Sequence, residues 1–346
     1  MKCKKLNIVI IVISVVALFG YLIWTEGFSN LIQILSRVKP FWVLCAVLLM
    51  IVYWLLESLI LHICVKKFHR PQQFKNTLRT SMIGQFFNCV TPSASGGQPM
   101  QAFHMVRTGV PLGIAGCTLL TKFIVYQTTL TVYCLIILIF QWKFFMVKVS
   151  GFSWLVLVGF LVNAVIMLGL ICICCFRRFT QWAAIGLVRL LAKLHIVKDK
   201  EEKLRYIHEE LDKFYESFAM MKQNKLMILQ MTVLSAVQLT AYFSITYFIH
   251  LSLEHTAASY VLILAAQSFV LMISSFVPLP GAVGGAELSF FTFYQMFFTQ
   301  GTLNMAMLFW RLITFYLPIL VGMFFVLPIT GRRKDSGEPV EQAVQA

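Results

Sequence analysis

Charge is scarce in this sequence. Asp, Glu, Lys and Arg together make up 12% of 346 residues, and only 14 of them are acids. A soluble domain of this size needs far more polar surface to stay dissolved, so that class is excluded. Motifs for chemistry are missing as well. There is no Walker A sequence, no His-Glu-x-x-His, no Gly-x-Ser-x-Gly and no paired-Asp constellation for a metal. Nothing in this chain is therefore expected to hydrolyse ATP, and no cofactor or metal is expected. The seven His are scattered, mostly at the edges of apolar segments (His62, His69, His250, His255). The nine Cys show no zinc spacing and no disulfide framework. Cys45, Cys64, Cys117 and Cys134 lie inside apolar runs, where cysteine behaves as a small hydrophobe. Cys172, Cys174 and Cys175 cluster at the end of one run, where acylation competes with the simpler reading of apolar packing.

What is abundant is apolar sequence, 59% of the chain, and it comes in blocks. Leu6–Trp24, Phe41–Val65, Pro111–Phe140, Ser153–Cys175, Leu226–His250 and Leu303–Leu327 are each long enough to cross a bilayer, which takes roughly 20 residues of helix. Tyr260–Phe298 is equally apolar but broken by Pro and Gly. The expected fold is all-α, a polytopic transmembrane helix bundle. The first block lacks a small-residue cleavage pattern and reads as an uncleaved span rather than a signal peptide.

The formal charge of +15 follows the same plan. Most of the 29 basic residues fall in four stretches: Lys2–Lys5, Lys66–Arg79, Arg177–Lys225 and Arg332–Lys334. Cytoplasmic loops collect Lys and Arg, so both termini are expected in the cytoplasm, and no nucleic-acid partner is needed to explain the charge. Phe176–Lys225 reads as a cytoplasmic amphipathic segment. Its first half suits an interfacial helix; in its second half Leu204, Ile207, Leu211, Phe214 and Phe218 recur at helical spacing. It is read as a cap on the bundle or a docking surface for a partner. Residues 1–330 form the membrane domain and 331–346 a polar tail.

Two stretches cannot continue a helix: Thr91-Pro-Ser-Ala-Ser-Gly-Gly-Gln-Pro99 and Val277-Pro-Leu-Pro-Gly-Ala-Val-Gly-Gly-Ala-Glu287. Irregular backbone at membrane depth is tolerated only when buried in protein or lining a polar cavity. Alternating the sides of successive spans makes each stretch the tip of a re-entrant or broken-helix hairpin, the two entering from opposite faces. That arrangement suggests an inverted repeat of the kind found in secondary transporters.

Four ionisable residues sit within apolar sequence: Glu57, Lys122, Glu287 and Arg311. Each costs roughly 2.5–3.5 kcal/mol on insertion scales and needs a partner or a wet cavity. Two readings stand: structural ion pairs, or a split site for a zwitterionic or cationic lipid head group. In the second, Lys122 or Arg311 holds the phosphate and Glu57 or Glu287 an ammonium. Glu287 follows Gly284 and Gly285 and opens a helix, whose free amides add positive potential beside it. The first break adds Gln85, Asn88, Thr91, Ser93, Ser95, Gly96, Gly97, Gln98 and Gln101, a polar set able to line a head-group path without trapping the cargo. The second adds Pro278, Pro280 and Gly281.

Thr91–Gln101, Pro278–Glu287 and Arg311 followed by Pro318 and Gly322 closely resemble motifs of the lysylphosphatidylglycerol synthase/flippase membrane domain, over roughly residues 5–330. The resemblance implies a multi-pass protein of a bacterial plasma membrane whose substrate is a phospholipid. In the bifunctional proteins such a bundle moves aminoacylated phosphatidylglycerol to the outer leaflet, and a C-terminal domain makes that lipid from aminoacyl-tRNA. The modified lipid protects against cationic antimicrobial peptides. Here the sequence ends soon after Lys334, so the synthase activity is not expected in this chain. A homodimer, or a separate soluble synthase, is the partner the resemblance suggests. Two other functions remain open: a phosphatidylglycerol lysyltransferase or its membrane component, and a scaffold docking a soluble partner.

Overall fold

The computed structural model describes Ser36 and residues 38–69, 72–149, 151–178, 180–182, 200–254, 258–275 and 277–331. The expected Leu6–Trp24 span, residues 183–199 of the Phe176–Lys225 segment and the tail from residue 332 lie outside them. The described chain is helical throughout. Its helices are α1 (Pro40–Phe68), α2 (Phe74–Val90), α3 (Gly97–Arg107), α4 (Leu112–Lys148), α5 (Phe152–Cys175), α6 (Lys200–Gln223), α7 (Lys225–Leu253), α8 (Tyr260–Ser274), α9 (Gly285–Tyr294), α10 (Gln300–Arg311) and α11 (Leu317–Gly331). Five stretches are long and apolar enough to span a membrane: α1, α4, Phe152–Leu170 of α5, α7, and Gly301–Val326 across α10 and α11. They correspond to the five unbroken blocks read from the sequence after the first.

The outer surface of the bundle is largely apolar, and its apolar core encloses a smaller set of charged and amide side chains. Leu226, Leu229, Val233 and Val237 face outward at helical spacing on α7, while Met227, Met231 and Gln238 on the same helix are buried. Trp154, Leu157, Leu161, Val165 and Leu168 form a similar exposed ridge on α5. Apolar area of this extent on a monomer marks contact with lipid or another apolar partner. Inside, Phe145, Phe152, Phe269 and Phe293 pack edge and face against one another, joining α4 and α5 to the second hairpin.

Two elements, α2–α3 and α8–α9, fold back on themselves as the Pro/Gly breaks predict. The N–H of Lys39, just before α1, donates to the carbonyl of Ser252 near the end of α7 at 3.1 Å. The closely packed α1 and α7 therefore run antiparallel. Each is followed by its hairpin, so the hairpins are rooted at opposite ends of the bundle. Their tips meet: Pro92 and Pro280 pair as an isolated antiparallel bridge. Each half thus reads span, hairpin, span, with α4 closing the first and α10–α11 the second.

The tips share more than position. Pro92-Ser-Ala-Ser-Gly-Gly97 and Pro280-Gly-Ala-Val-Gly-Gly285 align residue for residue, and their local backbone assignments are the same. In both, the two residues after the proline take positive φ: Ser93 at 50° and Ala94 at 52°, Gly281 at 61° and Ala282 at 53°. A non-glycine residue there is strained and persists only where its surroundings hold it. In the second tip glycine is also needed for space, because a Cβ on Gly281 would collide with the Phe315 ring.

The final span is irregular. Leu312–Tyr316 forms a π-helical turn, in which Leu317 N–H returns to Leu312 C=O. Pro318 has no N–H to offer Thr314, which removes one α-helical bond at this point. The turn follows directly on Arg311. Beyond it, Gly322 lets α11 approach α2 at Met82 and Phe86.

The second half of the Phe176–Lys225 segment folds as α6 and lies on the bundle. Phe214, Phe218 and Met221 pack with Ile60, Cys64 and Cys117. Glu210 Oε2 accepts the Gly113 N–H at 2.5 Å, at the positive end of α4. These contacts are those of a helix that caps the bundle.

Directly opposed residues of an antiparallel pair have Cα atoms roughly 4.5–5.5 Å apart, within disulfide reach. The double variant Pro92→Cys/Pro280→Cys is expected to give a 92–280 cross-linked peptide on mild oxidation, read by mass spectrometry. Its absence in correctly inserted protein would separate the tips.

Candidate functional site

The four intramembrane charges come together as one acid–base pair in each half. Lys122 Nζ on α4 lies 2.7 Å from Glu57 Oε1 on α1. Gln85 Nε2 on α2 donates to Glu57 Oε2, so both carboxylate oxygens have a donor. Arg311 Nη2 lies 2.7 Å from Glu287 Oε1, with the Arg311 side chain 5% exposed. Glu287 Oε2 accepts the Gly284 N–H at 2.6 Å, closing the first turn of α9 on itself. Gly284 has φ 87°, a conformation glycine adopts without strain. Lys122 and Arg311 occupy like places, each about three turns into the helix that follows its hairpin.

Arg311 also holds the second tip. Its Nη1 donates to Gly281 C=O at 2.8 Å, and its guanidinium stacks near the Trp310 and Phe315 rings, 5.0 and 5.4 Å from their centroids. Nη2 is held by the ion pair with Glu287, while Nε is buried without a hydrogen bond among the described residues. The guanidinium thus has one donor still short of an acceptor.

Two adjoining cavities flank the tips. One, of about 370 Å³, is lined by Arg311, Gly281, Tyr242 and Thr314. The other, of about 600 Å³, is lined by Glu57, Lys122, Gln85, Gln98 and Gln101, with Ser95 at its edge. Asn88, Ser93, Ala94, Phe123 and Leu271 belong to both, so the first tip forms the partition between them. Both volumes fall in the range of small-ligand sites.

The other residues singled out from the sequence divide by what their polar groups do. Ser93 and Ser95 expose their hydroxyls and have no side-chain partner among the described residues. Thr91 instead serves the backbone: its hydroxyl donates to Phe87 C=O at 2.6 Å and accepts the Gly96 N–H at 2.9 Å. Gly97 lets Asn88 lie against the start of α3, and Gly84 makes room for Gln101. Gly285 packs under Val277. Pro280 is buried at the bridge, whereas Pro278 is exposed.

Sequence reasoning passed over the tyrosines between the two pairs. Tyr53 and Tyr126 line the larger cavity beside Glu57. The Tyr242 ring lies 5.3 Å from that of Tyr53 and lines the smaller cavity together with Thr314 and Arg311. Tyrosine in a membrane helix usually signals an interface, and nothing in sequence separates these three from the other eight. Many other hydroxyls take the ordinary role. Thr129, Ser244, Ser274 and Ser289 each bond the carbonyl four residues back.

A family model described as "Lysylphosphatidylglycerol synthase TM region" matches residues 7–322. A UPF0104 membrane protein of Archaeoglobus fulgidus is 26% identical over 304 residues, covering 85% of this chain and 88% of its own length.

Removing one partner of a buried ion pair typically costs about 3–5 kcal/mol, whereas replacing both can be nearly neutral. Lys122→Met alone is expected to destabilise the protein in detergent, and Glu57→Gln/Lys122→Met to recover most of the loss. Strictly additive effects in reversible unfolding would mean the two side chains are not coupled.

Proposed function

The chain belongs to the family of lysylphosphatidylglycerol synthase transmembrane regions, and from that premise we propose that it is a lipid translocase, moving aminoacylated phosphatidylglycerol or a related phospholipid between leaflets. The observation that carries this reading is the pairing of opposed hairpin tips beside two adjoining cavities that hold charged, amide and hydroxyl side chains, within a bundle whose outer surface is apolar. A head group needs a polar route of this kind, while its acyl chains need none and can stay in the bilayer. Arginine suits the phosphate end of such a ligand, because its planar fork matches phosphate oxygens. The hydroxyls and amides of Ser93, Ser95, Asn88, Gln98 and Gln101 supply weaker contacts that a moving head group can exchange one at a time.

Arg311 ties the second tip to the last span, and Glu287 ties the start of α9 to Arg311. In this reading a phosphate reaching Arg311 competes with Gly281 and Glu287 for its donors and so loosens the tip. Irregular backbone flanked by short helices is the part of the bundle best suited to move, since few hydrogen bonds need to break. Movement of an aminoacylated lipid to the outer leaflet would lower negative surface charge and protect the cell from cationic antimicrobial peptides.

The test is leaflet transfer in liposomes holding purified protein, with phosphatidylglycerol and lysyl-phosphatidylglycerol as separate cargoes. Protein-dependent transfer of at least one is expected. Truncating one partner of a buried charge pair costs ~2 kcal/mol or more, so Arg311→Gln and Glu287→Gln should each slow transfer by roughly 30-fold or more. Wild-type rates in both folded variants would rule out this site. No transfer of either lipid by folded wild-type protein would rule out the translocase.

A further inference from the structure

The joined cavities carry a charge and donor balance that bears on which head group they accept. Three charged side chains line them: Arg311 in the smaller, Glu57 and Lys122 in the larger. Glu287 lines neither and balances Arg311 from behind the cavity wall. The lining itself therefore holds two cations and one anion, and no carboxylate without a cation beside it. Its acceptors for a cationic ligand are already engaged. Glu57 Oε1 faces Lys122 and its Oε2 accepts from Gln85, while Glu287 Oε1 faces Arg311 and its Oε2 accepts from Gly284. Of its cationic donors, Lys122 Nζ and Arg311 Nη2 are held by the same two ion pairs and Arg311 Nη1 by Gly281 C=O, which leaves Arg311 Nε, buried and without a hydrogen bond among the described residues.

The uncharged lining fits the same pattern. Asn88, Gln98, Gln101 and Gln238 carry amides, Ser93 and Ser95 hydroxyls, and all of them border the larger cavity. Amides and hydroxyls both donate and accept, which is what a polyol or sugar requires. An ammonium group donates only, and one placed here would lie beside Lys122 with no free carboxylate to offset it.

Resting on the translocase reading, and choosing between the lipids it names, we infer that this site selects a phosphate-bearing lipid whose head group is otherwise uncharged and rich in hydroxyls. Phosphatidylglycerol is the simplest such lipid, and a sugar-phosphate lipid belongs to the same class. The phosphate binds at Arg311 in the smaller cavity. The hydroxyls pass across the partition at Ser93 into the amide-lined larger one. Lysyl-phosphatidylglycerol presents two ammonium groups to that second cavity and is disfavoured there.

The experiment compares phosphatidylglycerol and lysyl-phosphatidylglycerol probes with the same fluorescent acyl tail, in liposomes of wild-type protein, using one impermeant quencher for both. A single uncompensated charge at contact distance is worth enough to make the phosphatidylglycerol probe move at least about tenfold faster. Lys122→Gln frees Glu57 as an acceptor and should narrow that ratio. If the variant does not fold, the wild-type ratio decides alone. Equal or faster transfer of the lysyl lipid would overturn the selectivity while leaving the translocase intact. Failure of both probes with folded protein would remove the translocase reading and this inference together.

Discussion

Backbone polar groups inside an apolar bundle have to be bonded within the protein, and a helix that stops midway leaves several of them unmet. The chain contains two such stops. Each tip is closed partly by its own residues: the Thr91 hydroxyl serves Phe87 and Gly96, and the Glu287 carboxylate serves Gly284. Across the molecule, the bridge between Pro92 and Pro280 holds the tips together, and Arg311 donates to the Gly281 carbonyl. Most other features follow from this requirement. The tips must lie together, so the spans that carry them must be antiparallel. A cation must lie near the second tip, so an acid is needed beside it. The space left between tips and spans has mostly apolar walls, with Glu57, Lys122, Arg311 and a set of amides and hydroxyls set among them.

The two halves meet the requirement differently. In the second, the base after the hairpin bonds its own hairpin's tip. In the first, the corresponding base turns away to Glu57 on the preceding span, and Gln85 completes the carboxylate. Hence the first tip keeps Ser93 and Ser95 uncommitted while the second has its carbonyl bound. The asymmetry leaves one tip lining a cavity with free hydroxyls and the other held by a guanidinium.

Much of the architecture could be read in advance because its causes are local. An apolar run of the length of α7, or a Pro-Ser-Ala-Ser-Gly-Gly stretch, dictates span or break without reference to the rest of the chain. The four charges within apolar sequence were visible for the same reason, since any ionisable residue in such a run stands out. Which acid meets which base was not readable. Glu57 and Lys122 are joined only by the packing of α1 against α4, and no spacing along the chain reports that. The tyrosines between the pairs were hidden because tyrosine is common in membrane helices. The π-helical turn after Arg311 left only Pro318 as a clue. The likeness of the two tips lay in plain view as Pro-x-Ala-x-Gly-Gly, but each had been weighed for its breaking power rather than against the other.

That six-residue likeness bears on how such a chain arose. Two like hairpins entering from opposite ends are the arrangement that joining two copies of one half would give, if that half could enter the bilayer in either direction. Joined in one chain, the halves no longer exchange orientations, so their like positions can differ: lysine stands in one where the other has arginine, and serine where the other has glycine. Orienting one half is then enough to orient the other.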